Sequence, residues 1–115
     1  MFPYWEQVID GLSPIGKRMR VISRKPLREF AAKHPPAKAP LEAWFAEASR
    51  ADWASFAEVK AAYGSADVVA GNRAIFNIGG NKYRLIVKIA YKSRTLYVRF
   101  VGTHAEYDKI DAKTI

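Results

Sequence analysis

The chain has 115 residues, enough for one ordinary domain with a real core and too few for two. Half of its residues are hydrophobic and 13% are aromatic, which excludes a disordered chain, and the absence of cysteine excludes disulfides, thiol catalysis and thiolate metal sites. Nineteen lysines and arginines against eleven acids give a net charge of +8, which favours a polyanionic partner. The longest apolar stretches are interrupted by Lys88 and are too short to span a bilayer. The N-terminus lacks a basic start followed by an apolar block, so it is not a secretory signal. The expectation is a soluble cytoplasmic protein without membrane contact, and cysteine usage fits a reducing compartment.

Residues 1–18 carry Pro3, Gly11, Pro14 and Gly16 without a sustained period, and are read as an N-terminal extension. Residues 19–115 are read as a single domain, with Met19 as an alternative start. Arg20 to Arg24 predicts a short strand. Pro26 suits a first helical turn, and Leu27, Phe30 and Ala31 recur at helical spacing. That helix must stop near His34, before Pro35 and Pro36. Pro40 opens a second helix with Leu41, Trp44, Phe45 and Ala48 on one face. Asp52 is the expected N-cap of a third, with Trp53, Phe56 and Val59 or Tyr63 on its apolar side and Gly64 at its end.

From Asp67 the pattern becomes strand-like. Val68-Val69 and Ala74 to Ile78 are strands, and Gly79-Gly80-Asn81 is a tight-turn signal. In Lys82 to Lys92, Tyr83, Leu85, Val87, Ile89 and Tyr91 fall on one face, and Lys82, Arg84, Ile86, Lys88, Ala90 and Lys92 on the other. Ser93-Arg94 makes the next turn. Thr95 to Val101 alternates again, with Leu96, Val98 and Phe100 opposite Tyr97, Arg99 and Val101. His104 to Ile110 predicts a short terminal helix. A strand, then helices, then an antiparallel meander is an α+β domain: an N-terminal strand and helices packed on an antiparallel sheet.

Residues 66–115 hold nine bases and four acids, so the basic excess lies mostly in this half. Lys82, Arg84 and Lys88 project from one side of one strand, and a hairpin partner brings Arg99 to the same face, near Thr103 and His104. Such a groove neutralises phosphates and gives salt-dependent affinity. Tyr83, Tyr91, Tyr97 and Tyr107 interleave with it, and tyrosines stack on unpaired bases. The same pattern also describes the solvated face of any half-exposed sheet, and most of these tyrosines are expected in the core. Gly79-Gly80 lacks the lysine and serine of a P-loop. His34 and His104, without a spaced set of carboxylates or cysteines, give no metal site. His34 reads as a helix-end residue. His104 can exchange a proton near neutral pH beside the basic strand, although a lone histidine near a chain end is more often structural.

The run Ile75-Phe76-Asn77-Ile78-Gly79-Gly80-Asn81-Lys82-Tyr83-Arg84-Leu85, followed by Tyr97-Val98-Arg99-Phe100-Val101-Gly102-Thr103-His104-Ala105-Glu106-Tyr107-Asp108, resembles the HigB family of toxins. These are the toxin halves of bacterial type II toxin–antitoxin systems within the RelE-like group. The start Met19 to Phe30 is also similar, and the likeness covers about residues 19–111. It implies a RelE-like fold and an endoribonuclease without metal or other cofactor that cleaves mRNA on the translating ribosome. It implies a HigA-like helix-turn-helix antitoxin as partner, with operator DNA reached only through that antitoxin. The implied chemistry is attack of a ribose 2′-hydroxyl on the adjacent phosphate. By motif position His104 is the acid/base candidate and Arg84 and Arg99 are the charge stabilisers. Tyr107 orients the nucleotide or assists proton transfer. Lys82, Lys88, Asn77 and Asn81 are the RNA-binding candidates, with Asn77 and above all Asn81 open to a plain turn role. Two other readings stay open: a non-catalytic basic RNA- or ribosome-binding module, and an interaction domain that docks an acidic protein.

Overall fold

A computed structural model describes residues 18–115. The proposed extension therefore lies, except for Arg18, outside the described residues. In chain order the elements are β1 (Arg20–Ile22), α1 (Lys25–Lys33), a 3-10 turn (Pro35–Ala37), α2 (Lys38–Arg50) and α3 (Phe56–Ala62). They are followed by β2 (Asp67–Val69), β3 (Arg73–Ile78), β4 (Tyr83–Ala90), β5 (Thr95–Thr103) and α4 (His104–Tyr107). This is the expected α+β class, with the terminal helix shorter than predicted. Among the described residues no helix is long and apolar enough to cross a membrane.

Sequence chemistry explains the helix boundaries. Pro26 stands in the first turn of α1, where an N–H has no intrahelical partner, and Leu27, Phe30 and Ala31 are buried. The helix ends with His34 as C-cap, its N–H donated to the Phe30 carbonyl, because Pro35 and Pro36 offer no N–H to continue. The two prolines form the 3-10 turn that leads into α2, and Pro40 sits in the first turn of α2 rather than ahead of it. Leu41, Trp44, Phe45 and Ala48 are buried at the expected helical spacing.

The third helix corrects one expectation. Its N-cap is Ser55, not Asp52. The Asp52 carboxylate instead pairs with Arg94 in the β4–β5 turn, tying the loop before α3 to the sheet. Tyr63 is the C-cap and Gly64 follows it directly, as expected, but without the positive φ of the usual glycine cap.

The five strands form one sheet in the order β1-β5-β4-β3-β2. From β2 to β5 the pairing is antiparallel, as the meander predicts, while β1 joins the far edge parallel to β5. Gly79, Gly80 and Asn81 turn the chain between β3 and β4 with φ of 65°, 62° and 84°, three left-handed residues in succession. The positive φ at Asn81 fits its turn role.

All three longer helices cover one face of the sheet. Trp44, Trp53 and Tyr63 from this layer meet Phe76 of β3, with ring centroids 5.5, 6.3 and 5.1 Å away. Leu85, Val87, Ile89, Leu96 and Val98 complete the core. Each fully buried side chain of this size contributes about 1.5–3 kcal/mol of hydrophobic stabilisation. On β4 the predicted alternation holds: Tyr83, Leu85, Val87 and Ile89 join the core, whereas Arg84 and Lys88 do not. On β5 it breaks. Ile86 pairs with Phe100 but Val87 pairs with Val98, so Arg99 is an extra residue in a β-bulge. The bulge reverses the parity beyond it. Val101 packs against the core, and Phe100 turns to the opposite face, the reverse of the sequence expectation.

Candidate active site

The face of the sheet away from the long helices carries Arg73, Ile75 and Asn77 on β3, and Arg84, Ile86 and Lys88 on β4. Tyr97, Arg99, Phe100 and Gly102 complete it on β5. It is more than a charged solvated surface. Ile86 is fully buried and Ile75 nearly so, yet neither belongs to the helix-side core. The segment after α4 returns to this face, where the main-chain oxygen of Ile115 accepts from both Arg73 and Arg99.

Thr103, the last residue of β5, and Glu106 of α4 determine how α4 sits. Thr103 is its N-cap, and its hydroxyl accepts from the Glu106 N–H at 3.2 Å. The Glu106 carboxylate in return accepts from the Thr103 N–H at 2.8 Å, which completes a capping box. This reciprocal pair fixes a helix of only four residues, too short to persist on its own propensity. The Thr103 backbone N–H holds the Glu106 carboxyl below the usual range. The Thr103 side chain, His34 and Lys33 act in the same direction against partial desolvation. His34, the C-cap of α1, is thus brought to the edge of the site, where its ring stacks on Phe30.

His104 and Tyr107 stand three residues apart on α4, the spacing that puts side chains on one helical face. Both meet Arg84. The Arg84 Nε donates to His104 Nε2 at 3.3 Å, and the guanidinium carbon lies 5.1 Å from the centre of the Tyr107 ring. Arginine can only donate, so His104 Nε2 is the acceptor in this bond. The Phe100 ring, turned outward by the bulge, lies 6.4 Å from Tyr107. Beneath it, Gly102 pairs with Arg84 across the ladder. A Cβ at Gly102 would stand 2.5 Å from Phe100 Cζ and 3.1 Å from Glu106 Oε1, so the bare backbone is what lets the Phe100 ring and the cap close over the strand.

Of the residues singled out from the sequence, His104, Arg84 and Tyr107 come together in one cluster. Arg99 does not join them. It stands in the bulge, two pairing steps along the strand from Gly102, with its Nε 3.4 Å from the Ile115 oxygen. Lys88 is exposed between Arg73 on β3 and Tyr97 on β5, its register partners. Lys82 is exposed in the β3–β4 turn beside Asn81. Asn77 pairs with Arg84, but its amide donates to the Ser65 carbonyl at 3.4 Å. Of the four tyrosines, Tyr83 and Tyr91 pack with the core, while Tyr97 and Tyr107 belong to the outer face. Sequence reasoning missed Arg73, Phe100 and Gly102. Arg73 was within reach, because it shares the period-2 parity of Ile75 and Asn77. Phe100 was not, because a bulge leaves no signature in an alternating run.

An acceptor imidazole, a fixed cation and a phenol in contact can move a proton and stabilise negative charge on a bound phosphoryl group. Residues 37–110 match HigB_toxin, described as the RelE-like toxic component of a toxin–antitoxin system. The chain is 32% identical over 92 residues to the mRNA interferase toxin HigB of Escherichia coli K12, covering 78% of this chain and 88% of that protein. It is equally similar to the mRNA interferase HigB of Shigella flexneri, with the same coverage of both chains. It is 28% identical over 94 residues to the mRNA interferase HigB of Escherichia coli O6:H1, covering 80% and 91%. A family match over more than half of the chain, joined to a relative 32% identical across 78% of it, makes this chain a member of the HigB toxin family.

Proposed function

We propose that this protein is the toxin of a type II toxin–antitoxin system and an mRNA interferase that cleaves messages on the translating ribosome. The observation that carries the reading is the 3.3 Å bond from Arg84 to His104 Nε2, with Tyr107 against the same guanidinium. The reaction needs a group to take the 2′-hydroxyl proton, a cation at the phosphoryl oxygens and a proton for the departing oxygen. His104 Nε2 takes the 2′ proton once Arg84 turns from it to the phosphate. The new bond runs from O2′ to phosphorus, and the bond from phosphorus to O5′ breaks. Arg84 stabilises the extra negative charge of the pentacovalent state, and the Tyr107 hydroxyl supplies the proton to O5′. The products are a 2′,3′-cyclic phosphate and a 5′-hydroxyl. None of these steps calls for a metal.

Lys82 and Lys88 flank this cluster along the strand and act as contacts to the RNA backbone. Asn77 and Asn81 shape the β3 end and its turn. Arg99 acts on a phosphate outside the reacting one. The partner is a HigA-like helix-turn-helix antitoxin, through which alone the complex reaches operator DNA. The site of action is the cytoplasm.

The test is mapping of 5′-hydroxyl RNA ends after brief induction in bacteria, with the wild-type chain beside His104→Ala. New ends within translated messages, absent in the variant at equal abundance, support both the activity and the histidine. New ends with both proteins keep the nuclease and remove His104 from the chemistry. Binding of RNA without new ends, given stable expression, leaves a non-catalytic RNA-binding module.

A further inference from the structure

We infer that the outer sheet face carries a second RNA subsite remote from the catalytic cluster, in which Arg73 and Arg99 hold a backbone phosphate and Tyr97 stacks the adjoining base. The inference rests on the reading that RNA is the ligand of this face. It adds two residues, Arg73 and Tyr97, that the catalytic cluster does not use.

The two arginines come from different strands and converge on one oxygen. Arg73 Nε donates to the Ile115 main-chain oxygen at 2.9 Å, and Arg99 Nε donates to the same atom at 3.4 Å. The oxygen belongs to the last residue, so it is a carboxylate oxygen and the two guanidinium groups converge on an anion. A backbone phosphate carries a like charge on more acceptor oxygens and competes for the same pair. The placement of Arg73 is built into the chain. Gly71, at φ +74°, leaves the space its guanidinium fills: a Cβ there would stand 2.3 Å from an Arg73 terminal nitrogen. That nitrogen also donates to the Ala70 carbonyl at 3.1 Å, which aims Nε across the sheet. The β-bulge does the same for Arg99 by making it the extra residue of β5.

Neighbouring residues extend the site. Lys88 lies between Arg73 and Tyr97 in the ladder, which makes a row of two cations and an aromatic ring across three strands. Tyr97, 36% exposed, is one of only two large hydrophobic side chains so exposed among the described residues. An exposed aromatic beside arginines is the arrangement that holds single-stranded RNA. Along β4, Lys88 is four residues from Arg84, about 13 Å at the rise of an antiparallel strand. That is farther than one nucleotide link spans, so the phosphate bound here is not the reacting one. Residues 111–115 fill the subsite with the Ile115 oxygen, and RNA must displace them.

The experiment measures affinity of the full chain for a single-stranded RNA oligonucleotide with 2′-O-methyl groups throughout, which cannot be cleaved, at several salt concentrations. Arg73→Ala is expected to weaken binding and to lower the salt slope by about one. Tyr97→Ala is expected to weaken binding roughly tenfold. A chain lacking residues 112–115 is expected to bind more tightly, because both guanidinium groups are released. Amide exchange in residues 111–115 of the unaltered chain should quicken when the oligonucleotide is added, a readout that holds even if the shortened chain does not fold. Arg73→Ala binding with unchanged affinity and slope would overturn the subsite alone. Weaker binding by the shortened chain, with no change in exchange on RNA addition, would make the arginines mere anchors of the segment. A wild-type chain that does not bind the oligonucleotide overturns the RNA reading of the whole face.

Discussion

Arg84 and His104 lie twenty residues apart in the sequence and meet through a single 3.3 Å bond from guanidinium to imidazole. The bond joins the middle of the sheet to the first residue of α4. In it the guanidinium donates and the imidazole nitrogen accepts.

Arg84→Ala should reduce cleavage about 10²–10³-fold, the usual cost of removing one donor aimed at developing oxyanion charge. Arg84→Lys should recover little, because a point charge reproduces neither the bond from Nε to His104 nor the flat contact with Tyr107. Cleavage of a defined message during translation in a purified system measures both. Near-complete recovery by lysine would reduce Arg84 to a source of charge.

Gly102→Ala tests the packing beneath the site. The added methyl meets Phe100 Cζ at 2.5 Å, so the ring must move away from Tyr107. Overpacking of this kind costs about 1–3 kcal/mol. The expected result is a lower melting temperature together with a loss of cleavage beyond what that instability explains. A variant with unaltered cleavage would show that Phe100 does not support the cluster.

Acid should loosen α4. The Glu106 carboxyl is held low by the Thr103 backbone N–H, so its contribution is complete above the ordinary carboxylate value of 4.5 and is lost as pH falls through the lowered folded value. The Thr103 amide signal, followed by NMR from neutral pH downward, should report a midpoint below 4.5. Glu106→Gln should abolish this titration, because the neutral amide oxygen still accepts from Thr103. A midpoint at or above the ordinary value would mean that the capping box does not form in solution.

The sequence by itself determined the class of the fold and most of the elements, because those signals are local. Leu27, Phe30 and Ala31, or Leu41, Trp44, Phe45 and Ala48, lie at helical spacing, and Tyr83 to Ile89 alternate strictly; each pattern buries one face whatever it packs against. Two glycines before an asparagine specify a left-handed turn for the same reason. The two motif runs, one holding Arg84 and the other His104 and Tyr107, also named these three members of the cluster. Only the tertiary structure decided which side of β5 Phe100 and Val101 occupy, because one inserted residue reverses every later side chain without changing the local pattern. It likewise decided that Asp52 pairs with Arg94 instead of capping α3, and that Arg99 converges with Arg73 instead of with Arg84. Those partners are strands apart, and their meeting depends on register, a property of the paired sheet that no single stretch of chain contains.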